Sequence, residues 1–236
     1  MAIGQDLFHR LVRRIGRGAR ERMDRSARHR RKAIAAYLTQ NRPAKLHIGC
    51  GDNVLGGWLN TEYENPPPKG GIFLDASKPF PIGDAQFDFI FSEHMIEHID
   101  LPDAHRMLQE CHRILRPKGH IRIATPRLEF LAELMLNPSE GHHRYAEFHY
   151  AELSEPSSLK SPAGVVNDYF RLWGHRFVHD ESSVRQLLSD AGFVDVTRQP
   201  SRTSTVADLH GLEYEERMPA GLLALTTMSF EAMKPG

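Results

Sequence analysis

Gly49-Cys50-Gly51 follows directly on the apolar run Leu46-His47-Ile48. Glycines where a strand ends let a ligand approach the backbone and leave loop N–H groups for acidic atoms. The same pair also suits a tight turn that binds nothing. The full dinucleotide spacing G-x-G-x-x-G is absent, because Val54 stands where its third glycine would fall. Two acids come next. Glu62, after Trp58-Leu59-Asn60-Thr61, could accept both hydrogen bonds of a vicinal diol or be a solvated loop carboxylate. Asp75, before Ala76, could accept from an exocyclic amine or cap the next turn.

Histidine supplies a second kind of chemistry. His94-Met95-Ile96-Glu97-His98 spells the zinc-peptidase pattern H-x-x-E-H, whose two imidazoles would share a helix face. Pro102 limits that helix, and no third ligand has a recognisable spacing. A short helix over the sheet edge is the plainer reading. His142, His143 and His149 cluster further on, among fourteen histidines in all. A divalent metal polarising a hydroxyl is conceivable there, and structural hydrogen bonding fits such imidazoles better. No metal ligand set is assigned from the sequence.

These residues need a scaffold, and the patterning describes one. Lys45–Ile48, Trp58-Leu59-Asn60, Gly71-Ile72-Phe73-Leu74 and the alternating Phe87-Asp88-Phe89-Ile90-Phe91 read as strands. Residues 103–115 read as a helix with Met107, Leu108, Cys111, Ile114 and Leu115 on one face. Pro117-Lys118-Gly119 should break it before a strand at Ile121-Arg122-Ile123-Ala124. A helix over 181–191, stopped by Gly192, should precede a strand over 193–196. Such alternation predicts an α/β fold, a mostly parallel sheet with helices on both faces. Residues 127–180 are too long for a plain connection and hold Tyr145, Tyr169, Phe170, Trp173 and His175. Their rings either line an acceptor cleft or fill a small core of their own. The spacing of Tyr169, Phe170 and Trp173 suits one helix face.

In this order the segments resemble class I S-adenosylmethionine-dependent methyltransferases of the type 11 kind. The resemblance rests on Leu46-His47-Ile48-Gly49-Cys50-Gly51, Leu74-Asp75-Ala76, Phe87 through Ser92, and Glu93-His94-Met95-Ile96-Glu97-His98-Ile99. It continues in His112-Arg113-Ile114-Leu115-Arg116-Pro117-Lys118-Gly119, where Lys118 replaces a family glycine, and in Ala191-Gly192-Phe193. It implies a Rossmann-like sheet of order 3-2-1-4-5-7-6 with an antiparallel last strand, expected within residues 222–232. It implies S-adenosyl-L-methionine as cofactor, with His47, Gly49, Cys50 and Gly51 around its methionine portion. Glu62 would then hold the ribose, and Asp75 with Ala76 would flank the adenine. Ser92, Glu93 and His94 would face the transfer site. For a hydroxyl acceptor the base would be His94, with His175 second. A small-molecule or glycan acceptor is expected. The runner-up readings are a binding module without transfer activity and an NAD-dependent oxidoreductase. One departure stands out: ten residues separate Gly51 from Glu62, where a dinucleotide fold expects about 20. The first crossover helix should be about one turn long or missing.

Composition sets the surroundings. The chain has 236 residues, enough for one sizeable domain, and two cysteines, Cys50 and Cys111, which exclude a disulfide scaffold and fit a reducing, cytoplasmic setting. Its formal net charge of zero hides an asymmetry: residues 1–32 carry eleven Lys/Arg against three acids. Within them Ile3, Leu7, Leu11 and Ile15 form an apolar stripe. Residues 1–42 therefore read as a basic amphipathic helical arm on a domain spanning 43–236. The arm either packs on the body or frays, meets an anionic membrane surface, or, less readily, meets nucleic acid.

Overall fold

The structure, a computed structural model, describes residues 27–63, 67, 70–154 and 159–236. The chain divides into two units after Gln40. In the first, residues 27–40 form helix α1, which ends ahead of Asn41-Arg42-Pro43, as a pre-proline residue requires. The Ile3 to Ile15 stripe lies outside the described residues. Among the described residues no helix is long and apolar enough to cross a membrane.

The second unit is built on a seven-stranded sheet: β1 (Lys45–Ile48), β2 (Leu59–Glu62), β3 (Ile72–Phe73), β4 (Phe87–Glu93), β5 (Leu115–Pro126), β6 (Val194–Gln199) and β7 (Thr227–Met233). The order is β3-β2-β1-β4-β5-β7-β6. Strands β1 to β5 pair in parallel, and β7 runs antiparallel to both β5 and β6. The mostly parallel sheet is what the patterning predicted, and its order and antiparallel β7 are what the family resemblance implied. Leu46 and Ile48 face Ile90 and Ser92 across the centre, where nearly every side chain is buried. Such two-sided burial explains why Leu46-His47-Ile48 reads as an apolar run, while β4 alternates only in its first half, where Asp88 and Phe89 are partly exposed.

Helices α2 (Leu101–Ile114) and α6 (Glu181–Asp190) pack on each other and on the sheet. Pro102 opens α2, and Ala104, Met107, Leu108, Cys111 and Ile114 bury its inner stripe. Asp180 caps α6 by accepting from Ser183 N at 2.8 Å. The expected break at Pro117-Lys118-Gly119 is instead a bend inside β5, which begins directly after α2. Lys118 turns the chain at φ +64, and a Cβ on Gly119 would lie 2.9 Å from Arg116 O and 3.0 Å from Asp88 O. The last strand, Thr227–Met233, falls within the expected window but for its final residue, and Leu222–Thr226 ahead of it makes a short helix, α7.

No helix fills the first crossover. Residues 49–58 form turns locked by the Asn60 side chain, which accepts from Leu55 N at 3.0 Å and donates to Leu55 O at 2.9 Å. The segment between β6 and β7 packs here: Leu209 and Leu212 join Trp58, Phe91 and Ala124 in one apolar cluster. Its anchor is Arg122, fully buried on β5, which donates to Glu213 Oε1 (2.8 and 2.5 Å), Glu231 Oε1 (2.5 Å), Thr203 O (2.9 Å) and Pro200 O (3.2 Å).

Residues 127–180 hold helices α3 (Leu128–Leu136), α4 (Glu140–Phe148) and α5 (Pro162–Arg171), with a π-helical turn at His149–Leu153. Phe130, Leu131, Leu134, Tyr145, Val165 and Tyr169 give them a core of their own. Tyr169, Phe170 and Trp173 do not share a face. Phe170, one residue round the helix from Tyr169, is exposed, and Trp173 lies beyond the end of α5 at φ +57.

Candidate active site

A cleft of about 730 Å³ opens at the carboxyl ends of β1 to β4, where open α/β sheets receive ligands. Each strand delivers residues to it: Gly49, Cys50 and Gly51 after β1, Glu62 at the end of β2, Asp75 and Ala76 after β3, Glu93 and His94 at the end of β4. The two glycines are required for different reasons. Gly49 sits at φ +66, and a Cβ there would lie 2.5 Å from Met95 Cγ. Gly51, at φ +48, would point a Cβ into open space.

Glu62 ties the loop to the sheet. Its Oε2 accepts from Gly51 N at 2.8 Å and its Oε1 from Tyr63 N at 2.6 Å. A carboxylate has about four acceptor sites, so two remain for a ligand. Asp75 Oδ1 accepts from Ser77 N (3.0 Å) and Ser77 Oγ (2.7 Å), so this acid caps the turn while standing on the cleft wall. Burial, then the Glu62 carboxylate, pushes the Cys50 thiol up to about 11, so it is no thiolate at neutral pH. Glu93, buried, accepts from Tyr214 N (3.1 Å) and Asn53 Nδ2 (3.2 Å) and lies 3.5 Å from Arg217 Nη2. It fastens the segment after β6 to the end of β4.

Two residues read from sequence into this site stand behind it. His47 and Ser92 are buried in the sheet and do not line the cleft. His47 Nδ1 lies 3.2 Å from Asn60 Oδ1, and its ring meets Phe91 at 4.9 Å. Burial lowers its pKa to about 4.

A second cavity of about 360 Å³ shares His94, His98 and Arg217 with the cleft. Its remaining wall includes Tyr145, Tyr169, Trp173 and His175. The rings of residues 127–180 thus do both things weighed from sequence: they fill a core and they line a cavity. His94, at φ +48, stands between the two spaces, with Nε2 3.0 Å from Thr227 Oγ1 and Nδ1 3.4 Å from Glu97 Oε1. His175 Nδ1 lies 2.7 Å from Tyr169 O. A carbonyl only accepts, so Nδ1 carries the proton and Nε2 is the basic nitrogen. Burial lowers the pKa of His175, and Glu97 partly offsets this. Burial alone would raise Glu97, yet the His94 and His98 imidazoles hold it down at about 2.

His142, His143 and His149 do not converge. His142 meets Ser139 and Glu133, His149 binds Asp168 at 2.8 Å, and His143 is exposed. Arg217, which borders both cavities, is one wall residue that the sequence reading missed. It lies far from every motif along the chain, and no local signal marks it.

Residues 61–123 match a family model described as a methyltransferase domain. Among solved structures, the chain is similar to an S-adenosylmethionine-dependent methyltransferase from Archaeoglobus fulgidus, at 17% identity over 90% of this chain and 94% of that one, with a TM-score of 0.48. It is similar also to one from Mesorhizobium loti, at 14% identity over 86% and 96%, with a TM-score of 0.48. No curated protein matches it in sequence.

Proposed function

We propose that the chain is an S-adenosylmethionine-dependent methyltransferase that methylates a hydroxyl of a small molecule or glycan seated in the second cavity; the methyltransferase-domain model matched over residues 61–123 supports the transfer reading. One observation carries this reading: His94 borders both the cleft at the strand ends and the smaller, ring-lined cavity beside it. The cleft residues fit the cofactor. Gly51 leaves the room that a Cβ would take, Glu62 keeps acceptor sites for a ribose diol, and Asp75 with Ala76, which line the cleft, would flank the adenine.

When bound, the cofactor supplies an electrophilic methyl group on a sulfonium. The chain's task is then to align the acceptor and take its proton. Glu97 Oε1 lies 3.4 Å from His94 Nδ1, too poorly aligned for a hydrogen bond but close enough that the carboxylate's charge favours the tautomer with the proton there and leaves Nε2 basic. The acceptor proton passes to His94 Nε2, directly or through the Thr227 hydroxyl beside it. The Glu97 carboxylate stabilises the imidazolium so formed. His175 is the second base candidate in the same cavity. Tyr145, Tyr169 and Trp173 offer flat faces and hydroxyls to a ring of monosaccharide size.

The test is two-part. Calorimetry should show micromolar binding of S-adenosylmethionine and S-adenosylhomocysteine but not NAD, weakened by Asp75→Ala. Transfer of labelled methyl to panels of small hydroxyl and amine acceptors should then favour hydroxyls. His94→Gln should lower kcat by roughly 10²–10⁴ with cofactor affinity kept. Transfer to amines alone, indifferent to His94→Gln, would overturn the hydroxyl assignment. A cytoplasmic protein whose residues 1–32 touch anionic membrane belongs to the same proposal. Salt-sensitive sedimentation with anionic vesicles, abolished by removing those residues, is the result it requires.

A further inference from the structure

Glu97, His98 and His175 converge beside the wall shared by the two cavities, each offering one donor atom within 4.8 Å of the others. The carboxylate is fully buried and fixed. Thr125 Oγ1 donates to its Oε2 at 3.0 Å, which turns Oε1 toward the imidazoles. That oxygen has no hydrogen-bond partner: His94 Nδ1 at 3.4 Å falls outside hydrogen-bond geometry, and His98 Nε2 is 4.0 Å away. A buried carboxylate oxygen left without a partner is costly unless a donor or a cation meets it.

The two imidazoles are prepared in the same sense. His175 has its Nδ1–H committed to the Tyr169 carbonyl, so its lone pair is on Nε2. Metal-binding histidines are typically held this way, by the other ring nitrogen on a carbonyl or carboxylate. Main-chain bonds bring the two segments together, since Arg176 N (2.7 Å) and Phe177 N (3.2 Å) donate to Glu97 O. His98 is half-buried and free to adjust, and its ring centroid lies 4.9 Å from that of His175.

We propose that Glu97, His98 and His175 bind a divalent first-row transition ion of the zinc type, whose open coordination position faces the acceptor cavity. Two imidazoles and one carboxylate suit zinc and its neighbours better than magnesium or calcium. Bonds of about 2.0–2.1 Å put tetrahedral ligands about 3.3 Å apart, so a rotation of His98 with a small shift of His175 closes the site. Three protein ligands leave a fourth position for an acceptor oxygen. In the methyl-transfer reading, on which this role alone rests, the ion polarises the acceptor hydroxyl while His94 takes its proton. The ligand set is not the pair suggested by H-x-x-E-H. Ile96–His98 is a single 3-10 turn that leaves His94 outside it, and His94 is not among the three converging residues.

Metal binding is tested on the full chain, stripped by a chelator, with Zn²⁺ alone by calorimetry and Co²⁺ alone by its visible ligand-field bands. One equivalent per chain should bind, and His98→Ala and His175→Ala should each weaken binding by roughly 100-fold or more. His143→Ala, at an exposed histidine outside the site, should leave it unchanged. His98→Ala removes a half-buried ring, so retained folding is checked by circular dichroism, and Glu97→Gln is read only where it also folds. No saturable binding, or binding indifferent to both histidine variants, overturns the proposal. S-adenosylmethionine titrated into the stripped protein keeps the two readings apart. Cofactor binding without Zn²⁺ binding sinks only the metal site, whereas loss of cofactor binding sinks the transfer reading.

Discussion

Alanine at Gly49 and alanine at Gly51 should fail for different reasons. Both glycines adopt positive φ, +66 and +48, where a side chain costs about 1–2 kcal/mol. Reduced freedom of the unfolded chain returns about 0.4–1 kcal/mol of this. Gly51→Ala should therefore destabilise by about 1 kcal/mol, since nothing lies within 4 Å of its new methyl group. Gly49→Ala adds contacts of 2.5 Å to Met95 Cγ and 2.9 Å to Met95 Cβ. Overpacking of that kind costs about 1–3 kcal/mol more, giving a total near 3 kcal/mol. Urea unfolding reads the difference as a shift of midpoint at constant slope. Met95→Ala in the Gly49→Ala background removes the nearer contact and should recover part of the loss. Cofactor titration should show the reverse ranking of specific effects. The Gly51→Ala methyl group enters the cleft and should weaken S-adenosylmethionine binding by roughly tenfold, a loss of about 1.4 kcal/mol. Equal destabilisation by both alanines, with no relief from Met95→Ala, would refute the steric account of Gly49.

Two more perturbations probe the scaffold. His47 is buried and held neutral with a pKa of about 4, against 6.5 unfolded, so its stabilisation is complete above pH 6.5 and lost as pH falls toward 4. At about 1.36 kcal/mol per pKa unit that is about 3 kcal/mol. His47→Phe keeps the contact with Phe91 and leaves Asn60 Oδ1 accepting from Leu55 N. It should match the wild type within about 1.5 kcal/mol at pH 7.5 and exceed it at pH 4.5; a gap that stays flat with pH in urea titrations contradicts this. Arg122→Met leaves the buried Glu213 and Glu231 without their shared cation and should cost about 3–5 kcal/mol, measured by the same unfolding assay. It should also weaken cofactor binding, because Arg217 at the cleft wall lies just beyond Glu213 in the same segment.

The strands were legible because burial writes itself as apolar runs, and because glycines and prolines mark where those runs stop; their order came only with the family resemblance. Phe87-Asp88-Phe89-Ile90-Phe91 needed no partner to be seen. The path between strands was less legible. Pro117-Lys118-Gly119 looks like a helix stop followed by a gap, yet the backbone bends within a strand whose partner at Lys234 lies 116 residues on. The missing first helix was foreseen from spacing alone, whereas its substitute was not. Leu209 and Leu212 cover Trp58 and Phe91 only because a buried Arg122 holds that segment in place, and an arginine in a strand-forming run carries no sign of its partners.

The site divides along the same line. Gly49, Gly51, Glu62, Asp75 and His94 could be read as candidates because each ends a strand or lies within three residues past one, and strand ends are visible in the sequence. H-x-x-E-H was visible too, and its local geometry misdirects: the motif pairs residues four apart, which a long helix would bring to one face. The chain makes a 3-10 turn there instead, and the histidine that joins Glu97 and His98 comes from beyond α5. What brings it in is a pair of main-chain bonds from Arg176 and Phe177 to the Glu97 carbonyl. Main-chain bonds are indifferent to side-chain identity, so no residue type advertises them. The chemistry of the second cavity therefore depends on a contact that the sequence does not spell, while the groups it assembles, two imidazoles and one carboxylate, are plain in it.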